Sequence, residues 1–521
     1  MTMEPKTGLG GWKHIVVFLA GLLVGVVSAV EIVPKAQLAT ASGSGGGFVA
    51  ANGSLDAGGS LDGTASGPGG GGGSKNTDTA STATGGSAPT EGTTTGSVGG
   101  GGSGGGGIPP SREGLECAPG KNGGATDRGV TGTEISLATT TVDSGPGAAF
   151  LRDVRYAMEA VTNKVNAAGG ICGRKLVVEY RDDGWNAQTG AQYLRNFIQQ
   201  GVFAIPVGPS SEGLRVVIDS GDIDNSQTAV VGADGLLIDQ YQKPEGGAQP
   251  WVWPVATATV ASARIMVQEA FKRGARNFSI VFDRNYRFGR EGALAFNSEV
   301  RQVTGQNVNG FNESFTCDQS FCGIDAGKSS YSEAARFVPG DFVALFLDPI
   351  TALAWMRDPN TPAASSIQYG YGAAQPLFTR GFAVNCKDKC DQMMVWTGFK
   401  PPIESYANEP AVKQYVSDLK RTKSDADEFN AFAQGGYIGM LLLVEALKKV
   451  GPDLTRERLK AALDRMSLNT GLTLQEGIRF SPSSRYANTT MQGFVIQHKG
   501  TFGGWRAGPK LSDPRPTAGI G

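Results

Sequence analysis

The stretch VNAAGGICGRKL, residues 165–176, is where a helix must stop and a strand must start. Upstream of it, residues 147–168 set Phe150, Val154, Ala157, Met158, Val161 and Val165 at the spacing of one helix face. Asn166, Ala167 and Ala168 then run into Gly169 and Gly170, and glycine just past the last periodic residue is the usual helix stop. Downstream, residues 175–180 (KLVVEY) read as a strand, and residues 134–140 (EISLATT), ahead of the helix, read as another. Two strands separated by a helix can pair in parallel, because a parallel pair needs a crossover rather than a tight turn.

The same alternation continues outward. Residues 187–200 form a second helix with Asn186 as its cap, and residues 203–207 (FAIPV) a third strand running into Gly208, Pro209, Ser210, Ser211, Glu212 and Gly213. Residues 228–231 make a fourth. A second set begins after Trp251-Val252-Trp253-Pro254, with helices expected at 258–272 and 288–303 and strands at 277–282, 308–315, 342–347 and 377–382. Helices at 411–422, 429–450 and 455–464 follow, the middle one apolar enough to be buried. Two such sets in one chain argue for an α/β protein of two lobes, each a parallel sheet with helices on both faces. Ligands of such sheets sit beyond the carboxyl ends of the strands.

The first 110 residues are different in kind. Between Ala41 and Gly107, 26 of 67 residues are glycine and most others are Ser, Thr or Ala. So little apolar surface cannot offset the entropy of ordering, so residues 34–110 read as a disordered tether. A flexible coil of that length has a span of ~45 Å. Residues 15–30 (IVVFLAGLLVGVVSAV) are continuously apolar behind Lys6 and Lys13. Residues 1–33 are therefore either a signal peptide cleaved after Ala29 or an uncleaved membrane anchor. The long tether favours the anchor, and both readings put the folded part outside the cytoplasm.

Composition narrows the function. Lys and Arg total 47 against 48 Asp and Glu, which leaves no basic footprint for nucleic acid. The only histidines are His14 and His498, too few for Ser-His or Cys-His nucleophilic schemes, and no phosphate-cradling Gly-x-x-x-x-Gly-Lys-Ser/Thr loop is present. Neither an enzyme nor a cofactor or metal is expected. The six cysteines, all beyond the tether, suit an oxidising compartment. Cys317 with Cys322 and Cys386 with Cys390 are close pairs, which leaves Cys117 for Cys172.

Several segments resemble the type I periplasmic binding proteins, in the leucine/isoleucine/valine-binding branch that serves amino-acid and amide ABC transporters. They are Gly129-Val130-Thr131 with Ile135, the run 144–149 (SGPGAA), the run 165–176, Val207-Gly208-Pro209-Ser210-Ser211, and Phe288-Gly289-Arg290-Glu291-Gly292. The Asn-x-x-Gly-Gly-Ile-x-Gly-Arg run is the most specific, and the resemblance extends from about Gly129 to Trp505. It implies the type I periplasmic-binding-protein fold with discontinuous lobes joined by three crossovers. Lobe one is then 129–253 with 410–483, lobe two 254–409 with 484–505, and 506–521 a flexible tail. It also implies a small polar solute as ligand, the membrane subunits of an ABC transporter as partners, and membrane attachment through the N-terminal segment. A membrane-anchored ligand sensor or envelope scaffold on the same fold is the alternative.

A zwitterionic solute needs donors for its carboxylate and an acid for its ammonium. Ser210 and Ser211, between a strand and a helix start, offer hydroxyls and N–H groups to an anion, and Ser144 has the same setting. Capping the helix is their plainer role. In Gly232-Ala233-Asp234-Gly235 an acid, Asp234, stands where the family commonly has Ser or Thr, which favours a cationic or amide-bearing ligand. Phe288 takes the place where the family often stacks a Tyr on the ligand. Asp348, after strand 342–347, offers an acceptor for an ammonium, and Arg380, in the strand expected at 377–382, a donor for a carboxylate.

Overall fold

The structure, a computed structural model, describes residues 115–118, 121–208, 211–233, 236–243, 246–283, 286–309 and 340–516. The segment 1–33, the tether 34–110, Ser210, Asp234, Cys317, Cys322 and most of the strand expected at 308–315 lie outside these residues.

The first sheet is built from β1 (Glu134–Thr141), β2 (Lys175–Asp182), β3 (Ala204–Pro206), β4 (Ala229–Ala233) and β5 (Val252–Pro254). All pairs are parallel and the order is β2-β1-β3-β4-β5. Between them run α1 (Ala148–Leu151), α2 (Asp153–Ala167), α3 (Ala187–Gln200), α4 (Ser211–Asp219) and α5 (Asp222–Ser226). Asn186 caps α3 by accepting from the N–H groups of Gln188 and Thr189 at 3.0 Å. The strand order reverses beside β1, so the loops leaving β1 and β3 diverge and open a crevice at the carboxyl ends.

The second sheet follows α6 (Thr259–Arg273): β6 (Phe278–Phe282), α7 (Arg287–Thr304), β7 (Phe342–Phe346), α8 (Pro349–Arg357), β8 (Tyr371–Ala373), α9 (Arg380–Asn385) and β9 (Met394–Thr397). Its strands β6 to β9 are parallel. The chain then returns to the first sheet with α10 (Pro410–Thr422), α11 (Ala431–Val450) and α12 (Arg456–Leu463). A two-stranded ribbon, β10 (Ser467–Leu468) and β11 (Ile478–Arg479), precedes β12 (Thr490–Lys499) and β13 (Thr501–Ser512), which add antiparallel to the β9 edge of the second sheet.

Helix α11 is buried on almost every side and lies on β4 and α2. That contact depends on Gly232, whose φ is +83° and where a Cβ would come within 2.3 Å of the Gly439 backbone. The buried Arg174 of the run quoted first donates to the carbonyls of Thr131, Gly124 and Pro452 at 2.7, 2.9 and 3.0 Å, so a charge inside the fold is matched by fixed acceptors. Beside it Cys117 is bonded to Cys172, and Cys386 is bonded to Cys390.

The three links between the sheets meet at Gly398. Its carbonyl accepts from the Leu474 N–H at 2.9 Å and from Asn488 Nδ2 at 2.8 Å, and Thr257 bridges to Asn488. A Cβ at Gly398 would come within 2.4 Å of both Asn488 Nδ2 and Thr257 Oγ1, so only glycine lets the links draw this close.

Two expectations are corrected. Residues 377–382 are not a strand: a 3-10 turn at Gln375–Leu377 leads into α9, which Thr379 caps by accepting from the Phe382 N–H at 3.1 Å. Pro376 cannot donate to a ladder, and a Thr three residues ahead of a free N–H is a helix start. The stretch 506–521 is not all tail, because β13 stays paired with β12 as far as Ser512.

Candidate functional site

Beyond the carboxyl ends of both sheets lies a cavity of about 560 Å³. From the first sheet's side come Phe150 and Leu151 of α1, Trp185 after β2, Ser211 and Glu212 at the start of α4, Leu236 and Leu237 after β4, and Phe432 of α11. The second sheet's side supplies Asp283 and Tyr286 after β6, Phe288 in α7, Asp348 after β7, and Pro376. Behind Phe432, toward the crossovers, is a small gap with room for little more than a water, lined by Val154, Val207, Phe399, Gly435 and Gly436 among others.

The two sides touch over the cavity. The rings of Trp185 and Tyr286 stack at 5.0 Å between centroids and 9° between planes. Trp185 is held by a left-handed backbone, φ 63°, and by its N–H bonding Asp183 Oδ1 at 2.8 Å, with Phe150 edge-on to it at 5.1 Å. A non-glycine residue in that conformation is uncommon and is kept only where the surroundings demand it. Polar ties run alongside. Glu212 accepts from the Arg287 N–H at 3.1 Å, Arg287 pairs with Asp239, and both oxygens of Glu291 accept from the Ile238 N–H at 3.2 Å.

Burial sets the electrostatics. It pushes the Glu212 carboxyl up, against the pull of Arg287, Arg290 and Arg215. It pushes the Glu291 carboxyl up to about 8. Asp348 is raised by burial too, although Thr351 and Ile350 bond it. Asp348 Oδ1 caps α8, accepting from the N–H groups of Ile350 and Thr351 at 2.8 and 3.1 Å. Its Oδ2 has no hydrogen-bond partner, and the residue is 6% exposed.

Of the residues selected from sequence, Ser211, Phe288 and Asp348 lie together on the cavity wall. Phe288 also packs on Phe346, with ring centroids 6.2 Å apart. Ser144 is exposed in the turn before α1, bonded to Asp182, and is not on the wall. Arg380 opens α9, donates its N–H to Asp427 Oδ2 at 2.7 Å, pairs with Glu428 at 3.4 Å and covers the Phe429 ring. It braces α9 against the segment leading into α11 and does not reach the cavity. Trp185, Glu212, Asp283, Tyr286 and Phe432 were not selected. A signal existed for Trp185, Asp283 and Tyr286, which follow β2 and β6 as Ser211 follows β3.

The family model for the Periplasmic binding protein family matches residues 134–315 and 387–501, more than half of the chain. The chain belongs to this family. Membership makes it a solute-binding protein of the extracytoplasmic, periplasmic-binding type. The fold recurs in solved periplasmic binding proteins of low identity. A branched chain amino acid ABC transporter protein from Thermus thermophilus, with bound valine, is 11% identical at TM-score 0.61, over 74% of this chain and 98% of that one. A fatty acid ABC transporter substrate-binding protein from Thermomonospora curvata is 18% identical at TM-score 0.58, over 75% and 95%. A possible leucine/isoleucine/valine-binding protein from Rhodopirellula baltica is 14% identical at TM-score 0.58, over 73% and 97%. No curated protein matches the chain. Among the described residues, no helix is long and apolar enough to cross a membrane.

Proposed function

We propose that the protein captures a small solute between its two lobes, closes on it by turning about the crossovers at Gly398, and hands it to the membrane subunits of an ABC importer. The solved relatives named for branched-chain amino-acid and fatty acid transport support this reading. In this proposal lobe one is 129–253 with 410–483 and lobe two is 254–409 with 484–512, and residues 1–110 keep the lobes near the membrane. The observation that carries it is the cavity itself, walled from both sheets and roofed by the Trp185–Tyr286 stack. Contacts from both sides make a bound solute favour the closed arrangement, which is what drives closure. Ser211, Glu212 and Trp185 hold the solute from one side, and Asp348, Tyr286 and Phe288 from the other.

The test is a thermal-shift screen of amino acids, amines, amides, carboxylates and polyols, followed by small-angle scattering with any hit. A stabilising solute that reduces the radius of gyration is the expected outcome. A hit without compaction removes the closing motion, and no hit from any class removes solute capture.

A further inference from the structure

The cavity is rich in acceptors and short of donors. Three helices begin at its wall, and a helix start is ordinarily where a ligand's carboxylate is held by free N–H groups. Here those starts are met by the chain's own acids. Glu212 stands in the first turn of α4 and accepts from the first N–H of α7. Asp348 caps α8. A ligand carboxylate brought to any of the three meets Glu212 or Asp348 at close range. Among the described residues, no Lys, Arg or His lines the cavity to offset them.

What the wall does offer is a buried carboxylate oxygen with no partner, Asp348 Oδ2, and a surround of aromatic rings from Phe150, Trp185, Tyr286, Phe288 and Phe432. Aromatic faces attract cations through their quadrupoles, and a buried acceptor is satisfied best by a charged donor. We infer that the ligand is an organic ammonium with an apolar body and no carboxylate, its N–H donating to Asp348 Oδ2 and its body lying against Phe150, Phe288 and Phe432. This inference rests on the cavity being the solute site.

Four probes of one size separate the possibilities: 3-phenylpropylamine, 3-phenylpropanol, 3-phenylpropionate and L-phenylalanine, titrated calorimetrically into the full-length protein. The amine should bind ~10- to 100-fold more tightly than the alcohol, as one charge-assisted hydrogen bond implies. The propionate and phenylalanine should bind more weakly than the alcohol. Asp348→Asn, which keeps an oxygen for the α8 cap, should erase the amine's advantage over the alcohol. If that variant does not fold, the ranking on the parent chain decides. Propionate or phenylalanine binding as tightly as the amine overturns the ligand class and leaves solute capture standing. An amine advantage that survives Asp348→Asn overturns the role of Asp348. If all four probes and the broad screen fail to bind, the ligand class and solute capture fall together.

Discussion

The two walls of the cavity are made differently. The first sheet's wall is chiefly apolar, with Phe150, Leu151, Trp185, Leu236, Leu237 and Phe432, while the second contributes two of the three acids, Asp283 and Asp348, at the ends of neighbouring strands β6 and β7. On the proposed function the acids of the second side take the polar end of a ligand, while its body lies against rings from both sides. A solute that satisfies only one wall gains nothing from closure, so discrimination and motion come from the same division of labour.

The lobes also differ in how they are stapled, and here the largest effect is expected. Cys117–Cys172 spans 55 residues and ties the segment ahead of lobe one to it, whereas Cys386–Cys390 spans four of the second lobe. In the chain-entropy model the long loop is worth ~4 kcal/mol and the short one ~2. Replacing Cys117 and Cys172 by Ala should lower the unfolding free energy by about twice as much as replacing Cys386 and Cys390, measured by denaturant titration. Equal losses would break the contrast.

Next in size is the roof. Trp185→Ala removes the stack with Tyr286 and should weaken a bound solute ~30-fold in calorimetry, with less compaction in scattering. Tyr286→Ala, from the opposite wall, should cost a similar amount, and the double variant less than the sum.

The third prediction concerns pH. Glu291 is pushed up to about 8 by burial where it meets Ile238 across the walls. Opening exposes it and returns it toward an ordinary carboxylate value near 4.3. Its closed-state pKa is raised, so closure takes up a proton, and that contribution fades as pH rises through about 8. Affinity should fall ~10-fold from pH 7 to pH 9 and be flattened by Glu291→Gln. A parent chain with no slope over that range, or a variant with the same slope, would refute this.

The smallest effect belongs to Arg380. Its ion pair with Glu428 is half-exposed on the arginine side, so Arg380→Ala should cost ~0.5 kcal/mol of stability and leave solute affinity unchanged. A tenfold loss of affinity would return it to the site.

The long amphipathic helices and the strands at 134–140 and 175–180 were legible because their apolar residues repeat with a period that local geometry enforces. The strands β8 and β9 were not, since three or four residues buried on both faces show no alternation. Around the cavity, reading the residues just past each strand found Ser211 and Asp348. Extending that reading to β2 and β6 reaches Trp185 and Asp283. Phe432 and Pro376 stayed hidden because only the fold brings α11 and the turn after β8 to the cavity, and the strand expected at 377–382 gives way to a helix capped by Thr379 that carries Arg380.

The return of the chain to the first sheet has a consequence for biosynthesis. Face-covering helix α11 lies on β4, yet it begins at Ala431 whereas β5 ends at Pro254. As the polypeptide emerges from its N-terminus, the strands of lobe one wait through about 180 further residues, or ~10–35 s at ~5–20 residues per second, with an apolar face uncovered. On the proposed bounds neither lobe is a contiguous length of chain: lobe one is complete only after residue 483, and lobe two only once β12 and β13 have followed it.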